Sequence, residues 1–404
     1  MSATADIHAE AVCAWLAAQA RARAVEEDLA RLVGINSFTE NVEGGRLVAA
    51  ALREAFATPG LAHETVSSAR FADHLVLRTT HDAAGRSPIA LVGHLDTVFP
   101  PGTFEGYRRD GDLARGPGVL DMKGGLLVVA YALRAISEVC GLAALPPTTV
   151  VIVADEEVGS PEGQGVIRSA AKGAGACLVF EAGRKNDLVI TRRKGTGAMT
   201  ATAHGKAAHA GNAHREGANA LWSLARFTDR VMALTDYDRG VTVNVGKVTG
   251  GESKNTVPDL ATALLDLRFE SRSDAEELIR RIEAIATEAC VPGTRIELSG
   301  GIARLPMERT DASVRLLEAY AASARAVGLG AGEAGLIGGG SDGSTTSAMG
   351  IASIDGLGPR GIGFHTKDEQ IELATLLLKA GALARFLLLR GALPALPDTT
   401  QRGG

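Results

Sequence analysis

His94 and Asp96 follow an apolar run at residues 88–93 (PIALVG), and three consecutive acids, Asp155, Glu156 and Glu157, follow another at residues 148–154 (TTVVIVA). A third run, residues 176–180 (ACLVF), ends at Glu181. In an open α/β sheet, ligands bind in the crevice beyond the carboxyl ends of the strands. Three such runs would therefore aim an imidazole and several carboxylates into one place. Asp121, in a glycine-punctuated segment at residues 118–125 (GVLDMKGG), and His365, at residues 361–367 (GIGFHTK), complete the set. Imidazole and carboxylate together suit borderline-hard divalent ions such as Zn²⁺, and this many donors suit more than one ion.

Metal-assisted hydrolysis needs one carboxylate to hold an ion and another to take a proton from the attacking water. Successive side chains leaving a strand point in different directions. Glu157 is accordingly assigned as a ligand and Glu156 as the general acid/base. An acidic triplet is also the composition of a solvated turn, but its place after a fully apolar strand, with His94 ending another, points to a site. Asp96, two residues beyond His94 on an extended chain, can accept the second ring N–H of that histidine and orient it. An H-x-D pair alone is a weak signal. Asp121 could bridge two ions or cap the helix that follows it. The glycines around it form neither a phosphate loop (G-x-x-x-x-G-K-[ST]) nor a dinucleotide fingerprint after a strand.

The elements that must position these residues read as follows. Residues 5–32 predict one long helix and residues 41–57 a second. Strands are expected at 74–79, 88–93, up to 154, 176–181 and 188–193, with helices at 124–139 and 163–171. Strands alternating with helices imply an α/β fold with a mostly parallel sheet flanked by helices. From residue 195 to 300 the order changes to strand 197–203, helix 216–234, strands 241–248 and 261–269, helix 273–289 and strand 294–298. That is the β-α-β-β-α-β unit of ferredoxin-like domains. Helices 312–327 and 373–389, with segments 336–342 and 351–358, resume the first domain. The expected organisation is thus a discontinuous catalytic domain (1–194 and 301–404) with an α+β insertion at 195–300. The polar tail after Pro394 is expected to fray.

At 404 residues the chain is long enough for two cores, and 46% hydrophobic and 22% charged residues are ordinary for a globular protein. A net charge of −5 and a pI near 6.0 argue against nucleic acid or an anionic membrane as the main partner. The first residues lack the basic start and apolar core of a signal peptide, and no apolar stretch reaches the roughly 18–20 residues of a membrane span. Cys13, Cys140, Cys177 and Cys290 are widely spaced, which suggests free thiols and a cytoplasmic enzyme.

Seven motifs occur in order over nearly the whole chain: H-L-D-T, G-x-x-D-M-K-G-G, D-E-E-x-G-S, F-E, G-K-A-A-H-A-G, G-G-G-S-D and a late G-F-H. In this the sequence resembles the co-catalytic di-zinc aminoacylase/carboxypeptidase family, which includes acetylornithine deacetylase, succinyl-diaminopimelate desuccinylase and glutamate carboxypeptidase. The glutamate carboxypeptidases look nearest. The resemblance implies that His94 and Glu181 bind one Zn²⁺ together with bridging Asp121, and that Glu157 and His365 bind the other. Co²⁺ or Mn²⁺ could occupy the same ligands. It implies Glu156 as the base, Asp96 as the residue orienting His94, and a cis peptide at Asp121–Met122. A glutamate at position 181 goes with carboxypeptidase and deacylase members rather than aminopeptidases.

The inserted domain resembles the family's lid and dimerisation domain, which implies a homodimer. His209 would then reach the partner subunit's active site and stabilise the oxyanion; by itself it reads as a surface-loop histidine. Arg268 and Asn244 would bind the substrate's terminal carboxylate, Arg268 through its planar fork; by itself it reads as a solvated strand-end arginine. Gly339 and Gly340, which let backbone approach a ligand closely, would add donors, or form a plain loop. The implied substrate is an N-acyl amino acid or short peptide with a free C-terminal carboxylate, glutamate being the preferred leaving residue. A biosynthetic deacylase, an aminopeptidase and a non-catalytic metal-binding scaffold are the other readings.

Overall fold

A computed structural model of the chain describes residues 3–81 and 85–391. The chain begins with helices α1 (Ala3–Ala22), α2 (Ala24–Val33) and α3 (Val42–Ala55), then lays down strands β1 (Leu61–Val66), β2 (His74–Thr79) and β3 (Ile89–His94). Short strands β4 (Arg108–Asp110) and β5 (Leu113–Arg115) precede helix α4 (Lys123–Cys140), strand β6 (Thr148–Val153), helix α5 (Gly163–Ala170) and strand β7 (Ala176–Val179). The single helix expected over 5–32 is broken. Arg23 takes a left-handed φ of 59°, and the turn re-aims the second half so that Val25, Leu29, Leu32 and Val33 enter the core.

The chain then builds a second compact unit, Arg192–Glu308 with Leu336–Gly340. It comprises β8 (Gly195–His204), β9 (Ala208–His209), α6 (Ala220–Met232), β10 (Thr242–Gly250), β11 (Thr256–Val257), β12 (Leu260–Phe269), α7 (Arg272–Glu288) and β13 (Arg295–Arg304). The four long strands form an antiparallel sheet in the order β10-β12-β8-β13. Alternate residues of β12 (Ala261, Ala263, Leu265, Leu267, Phe269) bury against α6 and α7, leaving the other face open. The unit is wider than 195–300 because β13 continues to Arg304, past a bulge after Ile302. Gly339 and Gly340 belong to it rather than to the first unit. Helix α6 starts later than residue 216 because Asn219 caps it, its side chain accepting the Trp222 N–H.

The first unit resumes with α8 (Asp311–Ala326), α9 (Gly343–Ala348), β14 (Ala352–Ile354), β15 (Gly361–Ile362), β16 (Gln370–Glu372) and α10 (Leu373–Gly391). Its main sheet has the order β1-β2-β6-β3-β7-β14, with β6, β3, β7 and β14 mutually parallel and β2 antiparallel to both neighbours. Neighbouring residues of the central strands serve opposite faces. Leu91, Ile152 and Leu178 pack on the side that carries α1, α4 and α10. Val92, Val153 and Val179 pack on the other side with Ile167 of α5. Each such fully buried aliphatic side chain stabilises by about 1.5–3 kcal/mol. A small sheet, β15-β16-β5-β4, was not expected from the sequence.

Residues 188–193 form isolated bridges instead of a strand. Val189 pairs with Glu333, Ile190 with Asp355 and Arg193 with Met307, so no single partner supplies a continuous ladder. The tail after Pro394 lies outside the described residues. Among those residues the four cysteines are free, and no helix is long and apolar enough to cross a membrane.

Candidate metal centre

The parallel strands β3, β6 and β7 end side by side, and their exits bring His94, Glu156, Glu157 and Glu181 together. His94 is buried at the last position of β3. Its Nδ1 lies 3.1 Å from the Asp96 backbone oxygen and 3.3 Å from Asp96 Oδ1. Its Nε2 faces Asp121 Oδ1 at 3.3 Å and Glu181 Oε1 at 3.6 Å. Two acceptors on Nδ1 fix the tautomer and leave Nε2 for an ion.

Asp96 does more than orient His94. Its Oδ1 accepts the Glu156 N–H at 3.2 Å, and its Oδ2 accepts the Glu157 N–H at 3.1 Å and the Thr39 hydroxyl at 2.7 Å. The carboxylate thus ties the end of β3 to the turn after β6. Asp155, first of the acidic triplet, turns away: its Oδ2 accepts the Glu162 and Gly163 N–H groups at the start of α5.

Asp121 stands between the two imidazoles. Oδ1 faces His94, and Oδ2 lies 3.3 Å from His365 Nε2. His365 Nε2 is also 3.2 Å from Glu157 Oε2. The glycines after Asp121 are what let this happen. A Cβ on Gly125 would sit 2.0 Å from the Phe180 carbonyl oxygen, and one on Gly124 would sit 2.3 Å from that of Val119. Only glycine lets α4 approach the exit of β7 this closely, which sets Asp121 beside Glu181. The Asp121–Met122 peptide is cis. His365 occupies the β15–β16 connection with a left-handed φ of 62°.

Two overlapping donor groups result. One ligand atom each from His94, Asp121 and Glu157 lie within 4.8 Å of one another, as do atoms from His94, Glu156 and Glu181. Borderline imidazole and hard carboxylate donors crowded in this way fit divalent cations. Burial, followed by the negative charge of Asp121, pushes Glu181 up to about 8. Hydrogen bonds to Asp121 and then to Glu157 hold the His365 imidazolium up to about 10, against partial burial. Burial would raise Asp121, but the two histidines hold it below its ordinary range.

Sequence reasoning missed Glu369. Its fully buried carboxylate accepts the backbone N–H groups of Gly118, Leu120 and Asp121 at 2.9–3.0 Å. A glutamate in a polar stretch such as HTKDEQ gives no signal of such a role.

In the second unit, His209 is exposed, and its Nδ1 accepts the N–H groups of Gly211 and Asn212, both at 3.1 Å. This leaves the proton on Nε2. Asn244 and Arg268 share the open face of the sheet, where Asn244 pairs in register with Asp266. Asp266 takes the Nε–Nη2 edge of Arg268 at 2.9 Å. Asn255 lies beside His209, its backbone carbonyl oxygen accepting the Ala210 N–H at 2.9 Å. The Gly339 carbonyl accepts from Arg193 Nη1 at 3.2 Å, and a Cβ on Gly339 would meet open space.

Comparison with known proteins places this geometry in a family. Residues 191–294 match the peptidase dimerisation domain of M20 peptidases. The chain is 28% identical to carboxypeptidase G2 of Pseudomonas sp. over 312 residues, covering 76% of this chain and 75% of that one. It is 31% identical to the succinyl-diaminopimelate desuccinylase of Paracoccus denitrificans over 291 residues, covering 64% and 70%. The chain belongs to the M20 metallopeptidase family. It is a hydrolase. The α/β fold with its mixed, helix-flanked sheet is that of M20 enzymes. The Bacillus subtilis YxeP protein, a dinuclear metal binding peptidase of the M20 family, superposes with a TM-score of 0.63 at 15% identity, covering 90% of this chain and 97% of that one.

Proposed function

We propose that this M20 hydrolase cleaves the amide bond to a C-terminal amino acid with a free carboxylate, in the manner of a glutamate carboxypeptidase, and uses two divalent cations, Zn²⁺ by preference. The observation that carries the reading is Asp121 offering one oxygen toward each of two imidazoles. His94, Glu181 and Asp121 would hold one cation, and Asp121, Glu157 and His365 the other. Bound there, the cations supply the acidity that deprotonates water near neutral pH and polarises the scissile carbonyl.

The rest falls to this chain's own side chains. Glu156 takes the proton from the attacking water and returns it to the leaving amine. Asp96 keeps His94 oriented and fixes the backbone that carries Glu156 and Glu157. The dimerisation-domain match supports a homodimer, in which His209 of one copy offers Nε2–H to the oxyanion formed in the other. Arg268 keeps its Nη1 side for the substrate carboxylate, since Asp266 occupies the opposite edge. Asn244, Gly339 and Gly340 complete the carboxylate site.

Carboxypeptidase G2, matched over three quarters of both chains, supports the carboxypeptidase assignment. The desuccinylase, with its higher identity, favours a second reading, an N-acyl-amino-acid deacylase with the same machinery and a different pocket. Amino-acid release from N-acyl amino acids with varied leaving residues separates them. Release confined to glutamate and aspartate supports the first; preference for basic or apolar residues moves the enzyme to the deacylases. No release from cation-loaded protein overturns both.

A further inference from the structure

We propose that Glu369 is a positioning residue that sets the separation of the Asp121 and His365 loops, and thereby the affinity of the cation held between them. The inference rests on the two-cation reading above. Three observations on the backbone carry it.

The first is the cradle itself. Glu369 Oε1 accepts from the Leu120 and Asp121 N–H groups, both at 2.9 Å, and Oε2 from the Gly118 N–H at 3.0 Å. The Glu369 backbone oxygen also accepts the Gly116 N–H at 3.4 Å. One carboxylate thus fixes the peptide groups immediately before the Asp121 side chain. Backbone N–H bonds to a carboxyl group shielded from water are stronger than the same bonds made in competition with solvent.

The second is where Glu369 comes from. It closes the β15–β16 connection that carries His365. There the Thr366 N–H and hydroxyl both bond to the Gly363 oxygen, and the Glu369 N–H bonds to the Thr366 oxygen at 3.2 Å. His365, one residue before Thr366, adopts its left-handed backbone inside this network. A displacement of Glu369 is therefore passed to His365 on one side and Asp121 on the other. No other described side chain accepts from the Asp121 backbone and belongs to the connection that carries His365.

The third is selectivity. Asp121 would serve both cations but His365 only one, and the hydrogen bonds described for Glu369 run to the Asp121 loop and to Thr366, not to His94 or Glu181. The cation between Asp121, Glu157 and His365 should feel a change at Glu369 far more than its neighbour does.

Glu369→Gln tests this with little change in volume. One amide oxygen can still accept, but the NH₂ group must face a backbone N–H, so part of the cradle is lost. Glu369→Asp keeps the carboxyl group and withdraws it by one methylene. The readout is calorimetric titration of metal-free protein with Zn²⁺ and Co²⁺, with the Co²⁺ absorption spectrum and circular dichroism recorded alongside. The expected result is two cations on the parent protein. In both variants one cation should bind at near-parental affinity and the other about 10–100-fold more weakly, as for other residues that hold a ligand in place. Excess cation should restore kcat with KM unchanged. Equal affinities in parent and variants, or equal weakening of both cations together with loss of fold, overturn the proposal. A parent protein that takes up fewer than two cations overturns the two-cation reading, and this inference with it.

Discussion

His365 Nε2 lies 3.3 Å from Asp121 Oδ2, joining a residue near the start of α4 to one in the connection between β15 and β16. In the cation-free protein this is an ion pair, and Asp121 and Glu157 hold the ring protonated up to about 10. A histidine must be neutral to bind a metal, so loading at pH 7 must expel that proton. Cation affinity should rise with pH through this range. Titration calorimetry in buffers of different ionisation enthalpy should record proton release, and its absence would contradict the assignment of His365 as a ligand. The raised value also sets a sign for stability. The contribution of protonated His365 is complete below about 6.5, the ordinary histidine value, and is lost as pH rises toward about 10. The cation-free protein should therefore melt at lower temperature as pH increases over that window, and cation should suppress the trend.

Glu156→Gln should leave two cations bound and lower kcat by about 10²–10⁴-fold, the usual contribution of a general acid/base. Metal analysis beside steady-state kinetics makes the check. A variant with parental activity would remove Glu156 from the mechanism.

Asp96→Ala should weaken activity and cation binding together, by about 10–100-fold. It deprives both Glu156 and Glu157 of their backbone anchor as well as loosening His94. Thr39→Val, which removes a single 2.7 Å bond to the same carboxylate, should act in the same direction with a smaller effect. Equal effects from the two variants would count against this ranking.

Away from the centre, Lys379 and Asp187 form a buried pair at 3.4 Å, both almost inaccessible to water. Removing one partner strands the other, and such losses cost about 3–5 kcal/mol. Asp187→Ala should lower the melting temperature sharply while leaving cation stoichiometry intact. Burial alone would raise Asp187, but bonds from Arg360 and the charge of Lys379 hold it below its ordinary range. Its contribution is present above about pH 3.9 and is lost as pH falls further. Denaturant titration of parent and variant at pH 7 and pH 3 should show the difference shrinking in acid.

His209 is the donor proposed to act across a dimer. Neither Glu156→Gln nor His209→Ala protein should work alone. A mixture with confirmed subunit exchange should regain activity through hybrid dimers. A mixture that stays inactive would place His209 in its own subunit's site or outside catalysis.

The residues brought together at the centre were legible in the sequence because each strand writes its end plainly. An unbroken apolar run stops at a polar side chain, as at His94, Asp155 and Glu181. Asp121 was legible through its glycines, whose crowding against Phe180 and Val119 explains them. Glu369 was hidden because its partners are backbone groups far away in sequence. The break at Arg23 was hidden because alanine-rich sequence with no Gly or Pro surrounds it. The two- and three-residue strands beside His365 are too short to show an alternating pattern.

The first unit is interrupted by the second, and this imposes an order on synthesis. All four long strands of the inserted sheet leave the ribosome consecutively, so that unit can close early. The sheet bearing His94 and Glu181 must wait for β14, and α1 stays without its neighbour α10 until some 350 residues later in the chain have emerged. The Asp121 carboxylate likewise has only one imidazole beside it until His365 emerges. Residues on both sides of the inserted unit must therefore be made before His94, Asp121 and His365 can stand together.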